Sequence, residues 1–86
     1  MPMVTVRYWA AAKHAAGVAE ETLSAATLAE ALAAVAASRA GSADFQAVLA
    51  RSSILVNGEQ AARRAAETVP LDEGTIIEIL PPFAGG

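Results

Sequence analysis

Polar and apolar residues alternate strictly at the start of the chain. In Met3-Val4-Thr5-Val6-Arg7-Tyr8-Trp9 the period is two, which places Val4, Val6 and Tyr8 on one face and Thr5, Arg7 and Trp9 on the other. That is the pattern of a half-buried strand. Ala10 to Ala16 is rich in alanine and stops at Gly17, which predicts a short helix with a glycine cap. Glu20-Glu21-Thr22-Leu23-Ser24 predicts a second strand pairing back on the first. Thr27-Leu28-Ala29-Glu30 matches a capping box, and Leu28, Leu32 and Val35 follow at helical spacing. The main helix is therefore expected over Thr27 to Arg39. Gly41-Ser42 interrupts the pattern, and Ala43 to Arg51 predicts a further short helix carrying Phe45, Val48 and Leu49.

The second half returns to strands. Ser53-Ile54-Leu55-Val56 is a short apolar run, followed by the hairpin signal Asn57-Gly58. Ala61 to Ala66 has no clear period, and its two arginines mark it as surface. Pro70-Leu71 leads into Asp72-Glu73-Gly74, which reads as a turn before a final strand, Thr75 to Leu80. In that strand Ile77 and Ile79 share one face, and Ile76, Glu78 and Leu80 the other. The order is ββαββ, with one main helix crossing a mixed sheet. This is an α+β chain of the β-grasp, or ubiquitin-like, pattern. First and last strands lie side by side in that pattern, so the chain should leave from the middle of the sheet. Residues 1–80 are read as one domain and residues 81–86 as an extended tail.

The tail, Pro81-Pro82-Phe83-Ala84-Gly85-Gly86, carries the strongest chemical signal. Proline cannot donate to a sheet ladder and holds φ near −65°, so Pro81 and Pro82 should end the pairing and start the tail extended. Six extended residues reach roughly 20 Å. Two closing glycines arise by composition about once in 200 chains, given glycine usage near 7%. Lacking Cβ atoms, Gly85 and Gly86 can thread a channel too narrow for other residues and present the α-carboxylate. A carboxylate is a poor electrophile, so its use requires activation, most simply as an acyl-adenylate made from ATP. The alternative is an inert, frayed end of the ordinary kind.

Composition narrows the partners. Of 86 residues, 55% are hydrophobic, but 23 are alanine, so the core must come from few large side chains. Net charge is −3 with no basic run, which argues against nucleic acid and anionic membranes. There is no cysteine, hence no disulfide framework and no thiol nucleophile. The N-terminus lacks a signal-peptide pattern, and a cytoplasmic protein is expected.

These residues resemble the ThiS/MoaD sulfur-carrier family, and within it the MoaD-type small subunits of molybdopterin synthase. The resemblance rests on Val4-Thr5-Val6-Arg7-Tyr8-Trp9-Ala10, Val56-Asn57-Gly58-Glu59, Leu71-Asp72-Glu73-Gly74 and, most specifically, Leu80-Pro81-Pro82-Phe83-Ala84-Gly85-Gly86. Phe83 stands where a smaller aliphatic residue is commoner, and Thr75 where an acidic one is frequent. The resemblance implies that Gly86 is adenylated by an E1-like enzyme (MoeB/ThiF-like). A sulfur donor, a cysteine desulfurase or rhodanese-like protein, then converts it to a thiocarboxylate. A MoaE-like large subunit would receive the tail and pass the sulfur to cyclic pyranopterin monophosphate. Gly85, Ala84, Phe83, Pro82, Pro81, Leu80 and Trp9 would meet partners. The chain itself would hold no cofactor stably, ATP being used by the activating partner, and would be a co-substrate rather than a catalyst alone. Alternatives are a carrier for thiazole, cysteine or tRNA thiolation, a ubiquitin-like modifier forming isopeptides with lysines, or a binding module with an inert tail.

Other candidates are weaker. His14, the one histidine, has no second ligand nearby and reads as solvated. Glu20-Glu21 and Asp72-Glu73 are adjacent carboxylates that point apart, and read as solvated edges. Arg63-Arg64 reads either as surface charge for solubility or as a pair that meets acidic residues on a partner, the former being favoured. Trp9, Ile76, Leu80 and Phe83 form either an exposed apolar interaction face or a face covered by the short helices.

Overall fold

A computed structural model describes residues 1–82, with the backbone alone at Arg63 and Arg64. The strand alternation at the start of the chain becomes β1 (Met3–Tyr8), with Val4, Val6 and Tyr8 only 1–2% exposed. Then come α1 (Ala10–Ala16), β2 (Glu20–Ser24), α2 (Leu28–Ser38), α3 (Ala43–Arg51), β3 (Ser53–Val56), β4 (Glu59–Ala61), a 3-10 turn (Arg63–Thr68) and β5 (Ile76–Leu80). The sheet order is β2-β1-β5-β3-β4. β1 and β5 run parallel with Val6 opposite Ile77, and the other pairings are antiparallel. This is the expected mixed β-grasp sheet, and β5 lies at its centre.

Two boundaries and the strand count differ from expectation. The first strand ends at Tyr8 rather than Trp9, because Ala10 adopts a left-handed φ of 49° and turns the chain into α1. The last strand begins at Ile76. Thr75 is instead part of the preceding turn, its buried hydroxyl accepting from the Asp72 N–H at 3.1 Å. The sheet has five strands rather than four, since the residues after Asn57-Gly58 pair back as β4. Asn57 and Gly58 both have positive φ, 48° and 84°, as a two-residue hairpin turn of the I′ kind requires. Asn57 also ties this hairpin to the start of β5, its Oδ1 accepting from the Ile76 N–H at 2.9 Å.

The helices begin and end where the sequence signals place them. Thr27 Oγ1 accepts from the Glu30 N–H at 3.2 Å, while Glu30 Oε1 reaches back to the Ala26 N–H at 2.9 Å. Ser42 caps α3 through the Phe45 N–H at 3.1 Å. Gln46, on α3, donates to the Ala36 and Arg39 carbonyls at 2.9 and 3.0 Å and so closes the end of α2. Gly17 ends α1 at φ 81°, its N–H bonded to the Lys13 carbonyl. All three helices bury one side against the same face of the sheet. Ala12, Leu28, Ala31, Val35, Phe45, Val48 and Leu49 join Val4, Val6, Tyr8, Ile54, Ile77 and Ile79 in one core. Ala12, Ala25 and Ala31 are wholly buried, so part of the alanine content works as close spacing between layers.

The left-handed turn at Ala10 has a cost. A Cβ in that region is disfavoured by about 1–2 kcal/mol, partly offset by the added freedom glycine has in the unfolded chain. Ala10→Gly is therefore expected to raise the unfolding free energy by up to about 1 kcal/mol. Ala12→Gly, inside the same helix and fully buried, is expected to lower it by at least that much. Paired urea titrations of the two variants check the difference in sign.

Candidate functional site

Because β1 and β5 are parallel neighbours, both end at the same end of the sheet, and the chain emerges there. The Trp9 N–H still donates to the Ile79 carbonyl at 3.2 Å, so the residue after β1 is fastened to the last turn of β5. The alternation that buries Tyr8 turns Trp9 outward. Its indole is 47% exposed and donates through Nε1 to Glu78 Oε2 at 2.9 Å. Ile76, Glu78 and Leu80 share this outer face, as expected, and strand register adds Thr5, Arg7 and Leu55. All six are half-buried, and all three helices pack on the other side. The short helices do not cover the described part of this face, where Trp9 is exposed and Ile76 and Leu80 are half-buried. Pro81 is buried and Pro82 exposed, so the passage from sheet to solvent falls between them. Phe83, Ala84, Gly85 and Gly86, which carry the expected chemistry, lie outside the described residues.

Beneath Trp9 lies a polar cluster that the sequence reading missed. Arg39 Nη1 sits 2.8 Å from Glu21 Oε2, and the same carboxylate oxygen accepts the Tyr8 hydroxyl. Arg39 Nε donates to the Ala16 carbonyl at 3.3 Å. Its guanidinium lies 5.3 Å from the Tyr8 ring centre and 4.9 Å from that of Phe45. Tyr8 and Phe45 meet edge to face, with centroids 5.8 Å apart. One side chain on α2's C-terminal cap thus joins β1, β2, the end of α1 and α3. It pins the residue immediately before Trp9.

Glu21 is accordingly not a solvated edge residue. It pairs with Val6 across β1–β2, while Leu23 pairs with Val4, so both point to the core. The signal was present in the two-residue alternation of Glu21 and Leu23. Glu20 does face solvent, 3.4 Å from Arg7, where an exposed pair adds little. Asp72 is exposed, while Glu73 accepts from the Met3 N–H at 2.9 Å. His14 is exposed, as expected. Among the described residues no helix is long and apolar enough to cross a membrane.

Burial holds the Tyr8 hydroxyl proton well above its ordinary range, helped by the hydrogen bond and charge of Glu21. Arg39 acts in the opposite direction but is outweighed. The neutral phenol is thus favoured in the folded state. Its contribution is complete below the unfolded pKa near 10 and is lost as pH rises beyond it. Stability should fall by up to about 1.4 kcal/mol per pH unit above pH 10. Urea titrations between pH 9 and 11 measure the slope, and Tyr8→Phe should flatten it.

The family model of the ThiS family matches residues 6–86. A search of curated proteins gives no match. Among solved structures, one similar chain is in the complex of subunits 1 and 2 of molybdopterin-converting factor from Helicobacter pylori. It is 26% identical, covers 98% of this chain and 99% of its own, and has a TM-score of 0.71. Small archaeal modifier protein 1 from Methanosarcina acetivorans is 25% identical, with coverage of 100% and 98% and a TM-score of 0.76. The same-named protein from Haloferax volcanii shares the fold at 20% identity, with coverage of 98% and 99% and a TM-score of 0.77. With its sheet order, central β5 and matched length, the chain belongs to the ThiS family of ubiquitin-like, sulfur-carrier-type proteins.

Proposed function

We propose that this chain carries sulfur to molybdopterin as the small subunit of a molybdopterin synthase. An E1-like enzyme activates the Gly86 carboxylate with ATP, and a desulfurase or rhodanese-like donor replaces the adenylate with sulfur. The resulting thiocarboxylate is a soft nucleophile at neutral pH, available to a chain that has no cysteine. A MoaE-like large subunit then aims it at cyclic pyranopterin monophosphate. ATP is used on the activating partner, and no cofactor stays on this chain.

The observation that carries this reading is the placement of β5. A central strand, paired on both sides, runs into Pro81 and Pro82 beside a face bearing Trp9, Ile76 and Leu80, and the sequence continues Phe83-Ala84-Gly85-Gly86. A rigid root lets partners grip the face while taking the last residues into a narrow channel. The Helicobacter pylori relative, described as a complex of subunits 1 and 2, supports a large-subunit partner of the same kind. Similarity to small archaeal modifier protein 1 favours a second reading, in which the activated Gly86 is passed to a lysine.

Intact mass spectrometry decides the first reading. After incubation with an E1-class enzyme, ATP and a sulfur source, the chain should gain the mass of sulfur replacing one oxygen at its C-terminus. An unchanged mass, with an enzyme proven competent on its own carrier, rejects it. With the thiocarboxylate formed, transfer to cyclic pyranopterin monophosphate in the presence of the large subunit separates molybdopterin synthesis from the thiazole, cysteine and tRNA pathways.

A further inference from the structure

Lys13 is the chain's one lysine. Apart from the α-amino group, its Nζ is the single amine able to form a stable amide. It sits on α1, one turn beyond Trp9, at the end of the sheet where β5 finishes. It is exposed, and no hydrogen bond or ion pair among the described residues engages its side chain, whereas Arg7 faces Glu20 and Arg39 faces Glu21. Two surface hollows of about 400 and 280 Å³ adjoin at this residue, and Lys13 and Ala19 line both. The larger is walled by Ala10, Gly17 and Val18 as well, which leaves a floor poor in side chains. His14 lines the same hollow.

We propose that Lys13 is a modification site: the acceptor to which Gly86 of a second copy of this chain is joined by an isopeptide bond. The step rests on the adenylation reading above. Nζ, its ammonium proton given up to solvent, attacks the carbonyl carbon of the acyl-adenylate, and a second N–H proton passes to solvent as the amide forms. The C–N bond forms as the C–O bond to phosphate breaks, and AMP leaves with the electron pair. Nothing is oxidised or reduced, and ATP is the co-reactant consumed upstream. Each copy has one donor end and one acceptor lysine, so every link in a product is of the same type.

Two arms test this. In the first, full-length chain bearing a Gly86 α-thioester is mixed with unmodified full-length chain at neutral pH, with no enzyme present. The expected product is a covalent dimer whose new amide maps to Lys13 by tandem mass spectrometry. It should form about tenfold or more faster in native protein than in urea, because the folded hollow orients the reactants. Attachment at the Met1 amine, a cyclised monomer, equal native and unfolded rates, or no product overturns the proposal. In the second arm, unmodified chain is given an E1-class enzyme and ATP without a sulfur donor. Lys13→Arg should remove the dimer while leaving thiocarboxylate formation intact when sulfur is later added. A dimer in the first arm with no activation in the second counts against adenylation and leaves Lys13 established as the acceptor. Activation in the second arm without a Lys13 linkage does the reverse.

Discussion

Arg39→Ala is expected to lower the unfolding free energy by about 3 kcal/mol. The guanidinium, with its side chain 16% exposed, faces a Glu21 carboxylate that is itself 30% exposed. Removing it leaves that carboxylate and the Tyr8 hydroxyl under the sheet without their cation. It also takes away the cap on the Ala16 carbonyl and the packing on two aromatic rings. A chain of this size has a total stability of about 4–13 kcal/mol, so the loss is a large share. Urea titration should show a lower midpoint with an unchanged slope. Replacing both partners, as Arg39→Met with Glu21→Leu, should restore most of the loss, because no orphaned charge then remains. A single-variant loss below about 1 kcal/mol would mean that solvent already satisfies Glu21.

Deleting Gly86 should abolish C-terminal loading while leaving the fold untouched. The deletion draws the terminal carboxylate back by one residue, about 3.5 Å. Reacting groups misplaced by even 1 Å lose roughly 100-fold in rate, so thiocarboxylate formation should fall by at least that factor. Stability should stay within about 0.5 kcal/mol of the parent, since no core residue is altered. Intact mass spectrometry after enzymatic activation reads the first quantity and thermal unfolding the second. Retained loading would show that the activating enzyme does not measure the length of the arm.

Most of the fold was legible because local signals agreed with one another. The Thr27–Glu30 box, the Gly17 stop, the Gly41-Ser42 interruption and the two-residue alternations of β1 and β5 each specify a boundary or a face without distant contacts. What escaped depended on tertiary partners. β4 is three residues long and contains no branched or aromatic residue, so only its pairing with β3 defines it. Arg39 offered no hint, because its partners come from four other elements. Glu21 was misread for a different reason: its charge was weighed above the alternation that aimed it inward. The alternation does put Trp9, Ile76 and Leu80 on one face of the sheet, as read from sequence. The indole's bond to Glu78 and the burial of Pro81 were not foreseeable there.

The flanking of β5 by β1 and β3 has a mechanical consequence. A partner that draws on Pro82 pulls along the strand axis, so the ladders on both flanks are strained in shear and must fail together. An edge strand tugged across its ladder would instead unzip one bond at a time. The domain can therefore be towed by its terminus into another protein's interior without unravelling.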